Sequence, residues 1–433
     1  MATYLTRNQT NGNQDKWTFS SWVKRSSISS NQCIFATSNG STTSFDAKFD
    51  SSDRMDVYNY LGGGFGARLI TNRVFRDVNA WYHIVIVYDS GNSTEAQRLR
   101  IYVNGTEETS FSTTNYPSSD ENSDLNVSGS TLDIGRQQNG SQFFLGYLAQ
   151  SILADGQAYA PTVFGSTNAD GVWVPITSPS VTYGTNGFKL DFTGTGASAD
   201  SSGFGADSSG NNNHFATNSL GTNANTKDGP ANNFSTMNAV AGTGVSMSKG
   251  ALVFSGNYNS VSSFGVYDGK WYCEMKITNT NTYNPMIGIA QGYTDIAQRN
   301  INNYPGQVTD SYGINREGNL YVNGSNSGSQ GFTLAQNDIV GVALDLASGT
   351  KNIKFYKNGS QVVSQNLSET LNDPYVFVTY ASSSQAGTGE WNFGNPPFTI
   401  ASSNSDANGY GSFEYAVPSG YYALCSKNLG QYG

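Results

Sequence analysis

Charge is the first thing this chain is short of. Only 13% of its 433 residues are Asp, Glu, Lys or Arg, against roughly 25% in an average soluble protein. With Glu and Lys scarce, the residues that build helices are missing and an α-rich fold is excluded. Basic residues are the scarcer sign, 23 against 32 acidic for a net charge of −9, and they nowhere cluster. Phosphate recognition needs clustered Lys and Arg, so neither nucleic acid nor an anionic membrane surface is expected as a partner. Cys33, Cys273 and Cys425 are three scattered thiols without a C-x-x-C pair, which fits neither a disulfide framework nor a zinc site and points to synthesis in a reducing cytoplasm. No apolar run reaches membrane-spanning length, and the first ten residues lack the apolar core of a signal peptide.

What is present is glycine, 49 residues of it, with 26 Tyr and 23 Phe, enough aromatic bulk for two β-sandwich cores. The chain is organised around residues 81–105. An apolar, β-branched run from Tyr82 to Tyr88 reads as a strand buried on both faces. After a polar loop, Leu99, Ile101 and Val103 face one way while Arg98, Arg100 and Tyr102 face the other, the period of a half-buried strand. Asn104-Gly105 then supplies the positive-φ pair of a tight hairpin. The unit returns at residues 338–359 and ends on Asn358-Gly359, and a third such turn stands at Asn323-Gly324.

Two antiparallel β-domains are therefore expected. In the first, short strand candidates bounded by Ser, Asn, Asp or Gly follow one another from Trp17 to Ala149. They are interrupted by a polar, strandless insertion at residues 110–130 that carries Asp120, Glu121 and Asp124. Periodicity then weakens. A Gly/Ser/Asn-rich connector with one strand at residues 187–192 and paired Asp-Ser-Ser-Gly turns at Asp200 and Asp207 is expected to lie ordered along the domains, because Phe188, Leu190, Phe192 and Phe215 need burial. The second domain alternates from Lys270 to Ile277, and its tail at residues 420–424 is apolar enough to dock. The expected division is 1–165, 166–238 and 239–433.

Residues 17–24, 81–88, 101–105, 134–135 and 146–148 resemble the strands of a laminin-G-like, concanavalin-like sandwich. Residues 270–277, 286–290, 312–313, 338–359 and 391–394 resemble a SPRY domain. Joined by Gly171-Val172-Trp173-Val174-Pro175 and Asp207-Ser-Ser-Gly-Asn-Asn-Asn, the whole is similar to virion structural proteins of tailed phages, marine ones among them. The resemblance implies an all-β fold of two concanavalin-like antiparallel sandwiches of jelly-roll type. It also implies a place on the virion surface, other virion proteins as partners, a host surface glycan or protein as ligand, and a homo-oligomer, trimers being common among phage appendages. One departure stands out: Ala149-Gln150 replaces the acidic residue common after the Gly-x-Leu turn, at a conventional metal or glycan site.

Chemistry has few candidates. Retaining glycosidases need two carboxylates about 5 Å apart, and no Glu-x-Asp-x-x-Glu strand occurs; Glu107, Glu108 and the acids of the insertion are expected to be solvated. His83, on the face of Val85 and Val87, reads as a packed histidine, and His214 has no nucleophile elbow near it. Cofactors are not expected, calcium at Asp200 and Asp207 being the one candidate, though their spacing is not that of an EF-hand. Tyr58 and Tyr60, before Leu61-Gly62-Gly63-Gly64, and Tyr293 and Tyr304, flanking a long loop in the second domain, are the aromatics placed to stack on a sugar or a partner. The expected protein is a non-enzymatic virion appendage, tail-fibre-like or decorating head or tail, that adheres through loops. A purely structural decoration or cementing protein without a host ligand is the alternative, and a polysaccharide depolymerase the third reading. The first sandwich begins almost at Met1 with no shaft before it, which favours a short, directly docked appendage.

Overall fold

The computed structural model describes residues 3–38, 42–138, 140–221, 224–240, 245–256, 258–279, 285–292, 303–368, 372–381 and 387–433. The chain divides into two compact units, Met1–Asn225 and Thr226–Gly433. The expected connector is shared: residues 166–225 pack into the first unit and the remainder into the second.

The first unit is a sandwich of two antiparallel sheets. One runs from edge to edge as Phe111–Asn115, Gly64–Val74, Arg54–Leu61, Thr43–Phe49, Gln32–Ser38, Thr131–Ile134, Tyr4–Asn8 and Ala216–Asn218. The other runs Phe188–Leu190, Gly146–Asp155, Lys16–Arg25, Trp81–Asp89, Leu99–Val103 and Thr106–Glu107. Their inner faces share a core that includes Trp17, Phe19, Phe35, Phe45, Ile84, Ile86, Tyr88 and Ile101, all essentially inaccessible to water. The connector strand is thus an edge strand of this unit, with Phe188 and Leu190 in its core.

The insertion at residues 110–130 is not strandless. Phe111–Asn115 pairs antiparallel with Gly64–Val74, an edge strand of Ser and Thr whose backbone needs a partner on one side only. Nor are its acids all solvated: Asp124 is buried, and Asn59 donates to Glu121 at 3.2 Å. Glu108 is buried beside Arg73.

The second unit is built the same way. One sheet runs Val245–Ser248, Val253–Gly256, Gly387–Asn392, Lys270–Ile277, Ile339–Asp345, Asn352–Lys357 and Ser360–Asn366, with Tyr422–Ala423 added in parallel beside Lys270–Ile277. The other runs Tyr258–Val261, Tyr375–Ala381, Met286–Gln291, Ser311–Ile314, Asn319–Val322 and Ser325–Ser329. Trp271, Met275, Ile289, Val342, Phe355, Phe377 and Trp391 fill its core. The fold is all-β apart from short turns of helix such as the terminal Ser426–Tyr432.

The three expected Asn-Gly hairpin turns have positive φ at both residues: 50° and 82° at Asn104-Gly105, 48° and 88° at Asn323-Gly324, and 48° and 81° at Asn358-Gly359. The asparagine does more than tolerate that conformation. Its side-chain oxygen accepts an amide of the neighbouring strand: His83 N at 2.7 Å, Asp310 N at 2.8 Å and Ile339 N at 2.9 Å respectively.

Candidate functional site

Which sheet face remains available for recognition follows from what covers the others. In Trp81–Asp89 the outward residues Val85 and Val87 are as buried as the inward ones. They join Tyr102, Ile152 and Phe164 in a second apolar layer, with Tyr159, Val163, Val181 and Tyr183 laid over it. His83 lies in this layer, stacked on Trp22 with centroids 4.5 Å apart. Trp173 donates to its Nδ1 at 3.0 Å, leaving Nε2 protonated toward Ser20 Oγ at 2.8 Å. Burial drives its pKa down to about 3, so this imidazole is neutral and serves packing.

The eight-stranded sheet presents a different outer face. Successive registers place Thr6, Asp133, Ala36, Asp46, Tyr58, Arg68 and Asn115 in one row across seven strands. Tyr58, expected as an exposed stacking residue, is 8% exposed. Its hydroxyl donates to Asp46, which also accepts from Gln137. Burial raises the pKa of both Tyr58 and Asp46. Period-two alternation gave Tyr58 its face; that the segment carrying Gln137 would lie over it depends on a contact 79 residues away.

The exposed aromatic on this face is Phe65, 45% accessible at the end of the Leu61-Gly62-Gly63-Gly64 turn. Tyr58 and Tyr60 meet it edge-on, at 5.4 and 5.3 Å between centroids and 80° and 74° between planes. The Arg68 guanidinium lies 4.5 Å from its centroid, held in place by a two-pronged bond to Asp56 at 3.0 and 2.9 Å. Single exposed apolar side chains are ordinary on protein surfaces. This one is braced by three others, so presenting it costs little side-chain entropy, and aromatic rings beside Arg are typical anchors of recognition surfaces. Alternation alone points to Tyr58 and Tyr60; the glycines of the turn signal that the next aromatic, Phe65, emerges at its far side.

Elsewhere the expected residues are spread out. Tyr304 is half-buried against Tyr321 and Tyr380, at 5.3 and 5.9 Å, and Tyr293 lies outside the described residues. Asp200 and Asp207 each close an Asx turn, accepting Ser202 N at 2.8 Å and Ser209 N at 2.9 Å. Asp207 also accepts Lys189 N at 2.9 Å and Asn213 N at 2.8 Å. Among the described residues no three His, Cys, Asp or Glu side chains gather as a metal site.

Comparison with known proteins agrees with this architecture. The profile of the Concanavalin A-like lectin/glucanases superfamily matches residues 2–155, and that of the SPRY domain matches residues 270–396. The chain carries a concanavalin-like domain followed by a SPRY domain. Similar solved structures include a human SPRY domain, at 17% identity and TM-score 0.27, over 34% of this chain and 94% of that one. A heptameric SAP-like pentraxin from Limulus polyphemus is similar at 16% identity and TM-score 0.30, over 42% of this chain and 89% of that one. Stonustoxin is similar at 13% identity and TM-score 0.27, over 36% of this chain and 27% of that one. No curated protein sequence matches the chain. Concanavalin-like and SPRY domains together mark a binding or recognition module.

Proposed function

We propose that the protein is a non-enzymatic recognition appendage of a phage particle, displayed on head or tail, and that the concanavalin-like domain contacts a host surface glycan or protein through the platform of Tyr60, Phe65 and Arg68. The observation that carries this reading is the braced, solvent-facing Phe65 ring on the face of the eight-stranded sheet. The carboxylates on that face support binding rather than hydrolysis: Asp46 accepts from Tyr58 and Gln137, and Asp56 is paired with Arg68. The virion setting rests on the family resemblance of the sequence. Many copies on one particle would raise a weak single contact by about 10² to 10⁴ in avidity. Electron microscopy with antibody against the chain tests the setting, combined with adsorption in the presence of that antibody. Label on the particle with adsorption blocked is the expected result. Label spread over head or tail with adsorption untouched would make the protein a decoration without a host ligand, and release of sugar by the purified chain would make it a depolymerase.

A further inference from the structure

Two carboxylates on the outer face of the eight-stranded sheet belong neither to the Phe65 platform nor to the core. Asp46 and Asp133 stand in one row, two strands apart, with Ala36 between them in register, and all three residues are fully buried. Ladder spacing puts the two aspartate backbones about 10 Å apart, and only a methyl group stands between their side chains. The roof over them is the hairpin that follows Ile134, closed by the bridge between Gln137 and Ser141. Arg136 Nε donates to Asp133 Oδ2, and Gln137 Nε2 donates to Asp46 Oδ2 and to the Tyr58 hydroxyl oxygen. Gln142 extends the network, donating to Gln137 Oε1 and accepting from Lys48 Nζ at 3.3 Å.

These donors all meet the same oxygen of each carboxylate. Asp46 Oδ1 and Asp133 Oδ1 are buried and, among the described residues, accept no hydrogen bond, an unfavourable state for an ionised group. Asp133 is paired with Arg136. Asp46 has no such partner among the described residues, since the ammonium beside it, Lys48, donates to Gln142 and lies 5.2 Å from the Tyr58 ring. The other groups around Asp46 are Tyr58 and Asp56 on one neighbouring strand, Cys33 on the other, and Asp133 and Arg136 beyond it. Burial keeps the Cys33 thiol and the Tyr58 phenol neutral, and Asp56 is held by Arg68. Burial raises the Asp46 carboxyl above the ordinary carboxylate range, outweighing Tyr58, Gln137, Lys48 and Ser44, which pull the other way. A hard divalent cation would want roughly six to eight oxygens, which two orphans beside a guanidinium do not supply. A proton wants one.

We infer that Asp46 is a proton-operated latch: on mild acidification Oδ1 takes up a proton from solvent, Oδ2 keeps its bonds to Tyr58 and Gln137, and the hairpin at residues 135–145 is held to the sheet more tightly than at neutral pH. The new O–H has an unfilled acceptor across Ala36, in Asp133 Oδ1. A carboxyl that binds its proton more tightly folded than unfolded adds stability that is lost as pH rises through the folded value. The test is hydrogen exchange of the full chain, read by mass spectrometry in peptides covering residues 135–145 and corrected for the intrinsic pH dependence of exchange. A local readout is needed because His83, in the same unit, titrates with the opposite sign. From about pH 7 to about pH 4.5, wild-type protection is expected to rise by roughly threefold or more, one unit of pKa difference being worth roughly tenfold. Asp46→Asn puts an amide donor where the acid proton would sit and should hold the low-pH protection across the range. Gln137→Ala cuts the hairpin's handle on Asp46 and should flatten the profile at the neutral-pH level, which keeps the test decisive if Asp46→Asn does not fold. Protection independent of pH in wild type, or the wild-type slope retained in either variant, would overturn the assignment. So would protection raised by calcium chloride at neutral pH and lost again with EDTA, which would make the pair a cation site.

Discussion

In the first unit the outer face of one sheet is closed over a neutral imidazole, and in the second over a carboxylate. The covers are otherwise alike. Trp173, from the segment that follows the first sandwich, lies against Gly105 so closely that a Cβ there would come within 2.8 Å of the ring. Tyr415, from the tail of the second, lies against Gly359 so that a Cβ would come within 2.6 Å. Each cover thus rests on the glycine of an Asn-Gly hairpin. The buried polar residue beneath differs because the covers offer different donors. Trp173 offers a single indole N–H, which one imidazole nitrogen accepts at 3.0 Å. The tail offers two backbone amides, of Glu414 and Tyr415, and Glu274 accepts both at 3.0 and 2.9 Å while also taking Asn392 Nδ2 and Tyr272 OH at 3.2 Å each. Four converging donors call for an acceptor-only group. The remaining cover is apolar in both cases, Phe413, Tyr421 and Ala423 lying with Tyr272 and Ala343 in the second unit.

This comparison can be broken most forcefully at the hairpins. Gly105→Val and Gly359→Val combine a positive φ with a ring in the way of the new side chain, and each is expected to cost its own unit roughly 3 kcal/mol or more. Hydrogen exchange followed by mass spectrometry assigns the loss, and protection unchanged in both units would refute the role given to these glycines. Glu274→Gln turns an amide N–H₂ toward N–H donors and should cost the second unit about 2 kcal/mol, with the first unit unaffected in the same measurement. Removing the ring sharpens the hairpin argument: in a cycle with Trp173→Ala, the cost of Gly105→Ala should fall by about 1 kcal/mol, leaving the backbone share alone. Strict additivity would mean that the ring contact carries no energy.

The pH dependence of the two covers has opposite sign. His83 has a folded pKa of about 3, below its unfolded value, so the unfolded state binds the extra proton and stability falls as pH drops from 6.5, by up to about 1.4 kcal/mol per unit. Glu274 has a folded pKa raised by burial, so the folded state holds the proton more tightly and acidification through its titration adds stability to the second unit. Between pH 6.5 and 4.5, chemical denaturation of wild type and His83→Gln should show the first slope vanish in the variant. A slope that persisted would place the titrating group elsewhere.

Much of this was legible in residue types. The Asn-Gly pairs that close alternating strands, at Asn104, Asn323 and Asn358, announce their positive φ, whereas Asn11-Gly12 and Asn186-Gly187 do not adopt it; the unbroken apolar run through Val85 and Val87 required a second buried face, although not which segment would supply it. Tyr58 shows the limit. Alternation assigned it to a sheet face, but its burial depends on Gln137, brought over it by the hairpin beyond Ile134. Phe111–Asn115 carried no apolar alternation because this edge strand contributes only Phe111 to the core and is otherwise held by its ladder and by Ser112 and Asn115 side chains donating to Ile70 O, Phe65 O and Gly66 O. Asp46 and Asp133 stand far apart in the chain, and only the pairing of their strands on either side of Gln32–Ser38 brings them into one row.

Recognition is placed at Phe65 because its ring is 45% exposed while Tyr58, Tyr60 and Arg68 brace it. The most direct test is the adsorption rate of particles carrying Phe65→Ser, with incorporation of the chain measured in the same preparation. Adsorption slowed at least tenfold at normal incorporation is the predicted result. Normal adsorption at normal incorporation would contradict it.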